Sequence, residues 1–166
     1  MGKLAIQMSK KHDLKSPSGF DAAKVEIETY YDDKIANETV PPTLQVDLDN
    51  PALDQSQTGK TSLKYKAKHN IDQDFGMQLE RSFRSHPQIA GRVNAEIVVI
   101  GKNIEITVDT SGFNKSTIKR VLEESLAPTN TRWQMEHQRM VQQRLNSLKA
   151  ECTQELKDLA MLRDNS

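Results

Sequence analysis

Leu63, Tyr65 and Ala67 are apolar, while Lys64, Lys66 and Lys68 alternate with them. Side chains on a strand point to opposite faces in turn, so this period of two predicts a half-buried strand. Farther along, Val93, Ala95, Ile97 and Val99 alternate with more polar positions, then Ile104, Ile106 and Val108 do the same, with Gly101-Lys102-Asn103 between the runs. Gly and Asn suit the tight turn that joins antiparallel strands, so a hairpin is predicted. Between Asp72 and Pro87 the spacing lengthens: Phe75, Leu79 and Phe83 recur every four residues, on a helix opened by Asp72 and stopped at His86-Pro87. Asn114 is placed to cap a further helix, with Ile118, Val121, Leu122 and Leu126 as its stripe and Pro128 at its end. Residues 62–127 therefore read strand, helix, strand, strand, helix. This is an α+β fold in which a small antiparallel sheet is packed by helices.

The flanks are less regular. Residues 1–19 show no periodic apolar face and end in Ser16-Pro17-Ser18-Gly19, so they read as a flexible tail. Residues 20–60 read as an acidic arm. Within it Phe20, Ala23, Ile27, Tyr30 and Tyr31 fit a helical stripe, whereas Val25, Ile27 and Thr29 fit a strand, and the helical reading takes in more positions. Pro41-Pro42 marks an extended hinge, Leu44, Val46 and Leu48 alternate as a short strand, and 49–59 reads as a loop. The core domain is assigned to 61–127 and a long C-terminal helix to 128–166, since residues 131–162 contain neither Gly nor Pro. On that helix Val141, Leu145, Leu148, Cys152, Leu159 and Leu162 form a narrow seam, interrupted by Glu155, that suits a coiled coil or packing along another surface.

Composition changes this picture in one respect. With 36% hydrophobic and 5% aromatic residues the chain has less apolar material than a compact domain of its length normally buries, so part of it is expected to be extended or solvated. The formal net charge is +0, yet the signs are blocked. Acids outnumber Lys24 and Lys34 across 21–54, while Lys60, Lys64, Lys66, Lys68, Arg81, Arg84 and Arg92 outnumber Asp72, Asp74 and Glu80 across 60–92. Such blocks suggest that one segment meets an anionic partner. Cys152 is alone, which excludes an intramolecular disulfide and suits a reducing compartment. The N-terminal residues lack the apolar core of a secretory signal and no stretch approaches a membrane span, so a cytoplasmic location and no membrane partner are expected.

Candidate chemistry is sparse. Gly59-Lys60-Thr61 resembles the end of a phosphate-binding loop, but Asp54 stands where that loop needs glycine, and the segment reads as a polar loop opening a basic strand. His12, His69, His86 and His137 are scattered without ligand spacing, so no metal or other cofactor is expected. No nucleophile, base and acid fall into a recognisable grouping, and the chain is not expected to be an enzyme. The basic residues are more informative. Lys64, Lys66 and Lys68 would project from one strand face about 6.6 Å apart, a spacing that can follow a phosphate backbone. Lys115, Lys119 and Arg120 begin a helix, where the dipole also favours an anion, and Arg92 adds a further cation.

The segments LKYKAKHNIDQDFGM, AEIVVIGKNIEITVDTSG and FNKSTIKRVLEESLAPTNTRW resemble the eukaryotic large-subunit ribosomal protein L-twenty-two family, the resemblance covering residues 62–133. The resemblance is carried by His69, Ile71, the IxITV pattern at 104–108, Phe113, Lys115, Lys119 and Trp133. It implies the order strand, helix, hairpin, helix, and RNA contacts on the lysine-rich strand and on Lys115, Lys119 and Arg120. The chain departs from the family at Asn70, where that family has proline, at Glu123-Glu124, where it tends to be basic, and in the acidic arm and long C-terminal helix.

Two functions are expected from these readings. The first is a non-enzymatic RNA-binding protein that resembles a ribosomal protein and grips structured RNA, ribosomal RNA included, through phosphate and shape contacts at Lys64, Lys66, Lys68, Arg92, Lys115, Lys119 and Arg120. The alternative is an assembly or adaptor protein that pairs with itself or a protein partner through the C-terminal helix seam, without nucleic acid.

Overall fold

A computed structural model describes residues 2–91, 94–112 and 114–165. Arg92, Val93 and Phe113, on which parts of the sequence reading fall, lie outside the described residues. The chain forms two compact units, Pro42–Glu136 and a second made of Met1–Pro41 with His137–Ser166. These divisions differ from the expected boundaries at 60/61 and 127/128, because the strand before residue 60 belongs to the sheet and the helix after 114 does not stop at Pro128.

In the Pro42–Glu136 unit the sheet has four antiparallel strands: β1 (Val46–Asp54), β2 (Lys60–Ala67), β3 (Ala95–Ile100) and β4 (Asn103–Asp109), in the order β1-β2-β4-β3. The α+β class and the strand, helix, strand, strand, helix order are as the sequence indicates, with β1 added at one edge. Residues 49–54, read as loop, belong to β1. The register slips between Asp47 and Ala52, around Pro51, and a bulged edge is where a strand tolerates proline. Ile100 pairs with Asn103, so the hairpin turn is Gly101-Lys102, with Gly101 at φ +61° and no positive φ at Lys102. That is the turn whose twist matches the flanking strands and which needs glycine first.

One face of the sheet is covered. α3 (Gln73–Ser85) starts at Asp72, whose carboxylate accepts from the Asp74 and Phe75 amides at 2.9 and 3.4 Å. Gly76 lets α3 approach β3, since a Cβ there would lie 3.1 Å from Val99 Cγ1. α4 (Lys115–Asp164) contributes Ile118, Val121, Leu122 and Leu126 to a single core with Leu63, Tyr65, Ile97, Ile104, Ile106 and Val108 from the strands and Phe75, Leu79 and Phe83 from α3.

Pro128, expected to end this helix, lies inside it. Proline removes one amide donor and costs a helix interior about 3 kcal/mol. The buried side of the helix nevertheless continues across it: Thr129 is buried, and Trp133 packs edge-on against Phe75 with ring centroids 5.6 Å apart. Hydroxyls of Ser125, Thr129 and Thr131 donate to the carbonyls of Val121, Ser125 and Ala127, and the Asn130 amide both accepts from and donates to the Leu44 backbone, at 2.9 and 3.1 Å. Burial on both sides outweighs the local break.

In the second unit the expected flexible tail is structured. α1 (Lys3–Lys11) buries Ala5 and Met8, and α2 (Pro17–Ala36) buries Ala23, Ile27 and Tyr31. The Ser16-Pro17-Ser18-Gly19 run is a helix start: Ser16 Oγ accepts from the Gly19 amide at 3.4 Å and Pro17 takes the first helical position, where its missing donor costs nothing. The ambiguous stretch after Phe20 is therefore helix. α1 is held by carboxylates far along the chain. The Gly2 amide donates to Asp158 Oδ2 and the Ala5 amide to Glu155 Oε2, both at 2.7 Å. Negative charge at a helix N-terminus satisfies orphan amides and complements the dipole. Glu155, the residue that interrupts the seam, is thus a cap for α1.

Candidate interaction surface

β2 carries out the alternation read from its sequence. Leu63, Tyr65 and Ala67 are buried, and Lys64 and Lys66 are exposed on the outer face, with Lys68 exposed just beyond the strand. Lys115, Lys119 and Arg120 lie on α4, whose Ile118, Val121 and Leu122 enter the core beneath the opposite, inner face. The two basic sets thus stand on different layers, one on the strand face away from the core and one on the helix that packs its apolar stripe into the core, and Lys119 reaches the exposed Asp49 on β1. Arg92 is outside the described residues.

Each set also has acidic neighbours. Lys119 Nζ lies 2.6 Å from Asp49 Oδ1, and this contact holds the Asp49 carboxyl below its ordinary range and the Lys119 ammonium above its own. On the outer face the register places Lys64 opposite Glu105 and Lys66 opposite Asp47, while Ser62 lies between Asp54 and Thr107, with Glu96 one strand beyond. Lys66 and Lys68 line an open depression of 580 Å³ that Asp47 shares. Phosphate approaching these lysines meets carboxylates at the same time. Val98 and Ile100, 46% and 70% exposed, complete the outer face on β3, and no aromatic residue lies among the outward positions of the paired strands, so bases have no ring to stack on.

The second expected surface, the seam, is occupied within its own unit. Leu148, Cys152, Leu156 and Leu162 pack with Leu159 against Ala5, Met8, Ala23, Ile27 and Tyr31 of α1 and α2. Val141 is buried and Leu145 half-buried. The seam is therefore corrected from a free partner surface to the spine of a three-helix unit. Burial pushes the Cys152 thiol up, with Glu28, Asp32 and Glu155 adding to the effect, which disfavours the reactive thiolate. Sequence reasoning missed Glu80 and Arg84 of α3. The Val99 amide donates to Glu80 Oε1 at 3.0 Å and Arg84 Nη2 donates to the Ile97 carbonyl at 3.3 Å. Their i, i+4 spacing on the polar side of α3 was visible, but not the strand edge it reaches.

Among the described residues no helix is long and apolar enough to cross a membrane, and no group of three or more His, Cys, Asp or Glu residues is placed to hold a metal ion. In comparisons with known proteins, no family model, no curated protein and no solved structure matches the chain.

Proposed function

We propose that this chain is a non-enzymatic assembly or adaptor protein that meets a protein partner on the outer face of its sheet. The supporting observation is the charge pattern of that face: Lys64 beside Glu105 and Lys66 beside Asp47, with the exposed aliphatics Val98 and Ile100 at one side. Interspersed charges of both signs beside apolar residues suit a protein surface of complementary pattern better than a uniform polyanion. The carboxylates beside both basic sets, Glu105 and Asp47 on the outer face and Asp49 at Lys119, weigh against the RNA reading. The test is titration of a structured RNA hairpin across a salt series, together with sedimentation of the protein from native extract before and after ribonuclease. No binding, or a flat dependence of log affinity on log salt, and a particle that survives ribonuclease are expected. A steep salt slope, or collapse of the particle on ribonuclease treatment, overturns the proposal in favour of RNA.

A further inference from the structure

β3 ends the sheet, and its composition makes that edge hazardous. Ala95-Glu96-Ile97-Val98-Val99-Ile100 has one charge, neither Gly nor Pro, and a run of β-branched residues. Such a segment at an open edge is a template for further strands. Two of its outward backbone groups are nevertheless occupied. Glu80 accepts the Val99 N–H as a neighbouring strand's carbonyl would, Arg84 donates to the Ile97 C=O as a neighbouring strand's amide would, and the two side chains lie 3.8 Å apart as an ion pair. α3 thus supplies side-chain substitutes for two bonds of a missing strand.

The two occupied groups are complementary to each other. If a second β3 is laid antiparallel about Val98, then Val98 faces Val98, Ile97 opposes Val99 and Ile100 opposes Glu96. Opposed outward residues in an antiparallel pair exchange both backbone bonds. The Val99 N–H of each copy would then donate to the Ile97 C=O of the other, replacing Glu80 and Arg84 on both sides at once. Exposed Val98 and Ile100 would gain cross-strand neighbours in the same step.

The geometry points to β3 as a strand-pairing edge for a second copy of this chain, held closed by Glu80 and Arg84. The device shares Val98 and Ile100 with the outer face proposed above but does not need that partner, because its bonds are made by the backbone edge of β3 with a second copy alone.

Sedimentation equilibrium over a concentration series tests it. E80A/R84A should show concentration-dependent association that the parent lacks, with the association constant raised at least about tenfold. Glu80→Gln, which keeps an acceptor for the Val99 amide, should behave as the parent. Adding Val98→Lys to E80A/R84A puts two ammonium groups face to face across the two-fold and should abolish the association. The inference is overturned if folded E80A/R84A matches the parent at every concentration, or if its association survives Val98→Lys. Should circular dichroism show that E80A/R84A has lost its fold, Arg84→Ala alone, which frees only the Ile97 carbonyl, takes its place: association that Val98→Lys abolishes supports the inference, and its absence or its survival of Val98→Lys overturns it.

Discussion

Tyr65 is fully buried on β2, and its hydroxyl has no hydrogen-bond partner among the described residues. Burial alone pushes the phenol from its ordinary value near 10 up to about 12. An unpaired buried hydroxyl costs about 1–3 kcal/mol in lost hydration, so Tyr65→Phe should leave stability unchanged or raise it by about 1 kcal/mol in urea unfolding at neutral pH. The pH dependence has a definite sign. The folded state keeps its proton where the unfolded chain has lost it, so this group's contribution is intact below about pH 10 and is lost as pH rises towards about 12. Tyr65→Phe should remove that component of alkaline destabilisation, and a variant with an undiminished alkaline loss would show that other groups cause it. Alternation in the sequence placed Tyr65 inside. It could not reveal the unpaired hydroxyl, because the atoms around a buried side chain come from helices distant in the chain.

At the scale of elements, legibility followed the range of the interactions. The β3–β4 hairpin depends on adjacent alternation and a two-residue turn, and its sequence carries both. α1 depends on Glu155 and Asp158, the latter 156 positions from the Gly2 amide it accepts, and its short buried face of Leu4, Ala5 and Met8 carries no N-terminal capping residue of its own. Pro128 misled for a related reason: the local rule was sound, but Trp133 and Thr129 bury the helix beyond it. The Gly2 amide and the Gln154 side chain hold the Asp158 carboxyl below its ordinary range. Stability from this contact is therefore present above the ordinary carboxylate range and lost as pH falls through the depressed value. Glu155→Ala with Asp158→Ala should free the start of α1, seen as amide exchange at Ala5 faster by about an order of magnitude or more, with the sheet amides unchanged. Unaltered exchange at Ala5 would mean that the apolar contacts of Ala5, Met8 and Leu14 hold α1 without its caps.

For the whole molecule, charge blocks along the chain do not map onto charge patches in space. Lys64, Lys66 and Lys68 form a basic run in sequence, but cross-strand pairing sets Glu105 and Asp47 beside the first two, and α4 carries the second basic set beneath the other face. Register was the missing quantity, since it fixes which acid lies beside which lysine. The same register supplies a test of the outer face that leaves net charge untouched. Exchanging Lys64 and Glu105 as K64E/E105K keeps the composition and the cross-strand pair and inverts the pattern offered to a partner. Circular dichroism and the thermal midpoint should stay at the parent's values, while the tagged variant, expressed in its source cells, should lose the ribonuclease-resistant complex expected of the parent and sediment as free protein. A variant that folds normally and still travels with that complex would remove this face from the interface. RNA held mainly by net phosphate neutralisation would respond far less to an exchange that conserves charge, so the result also separates recognition by pattern from attraction by charge.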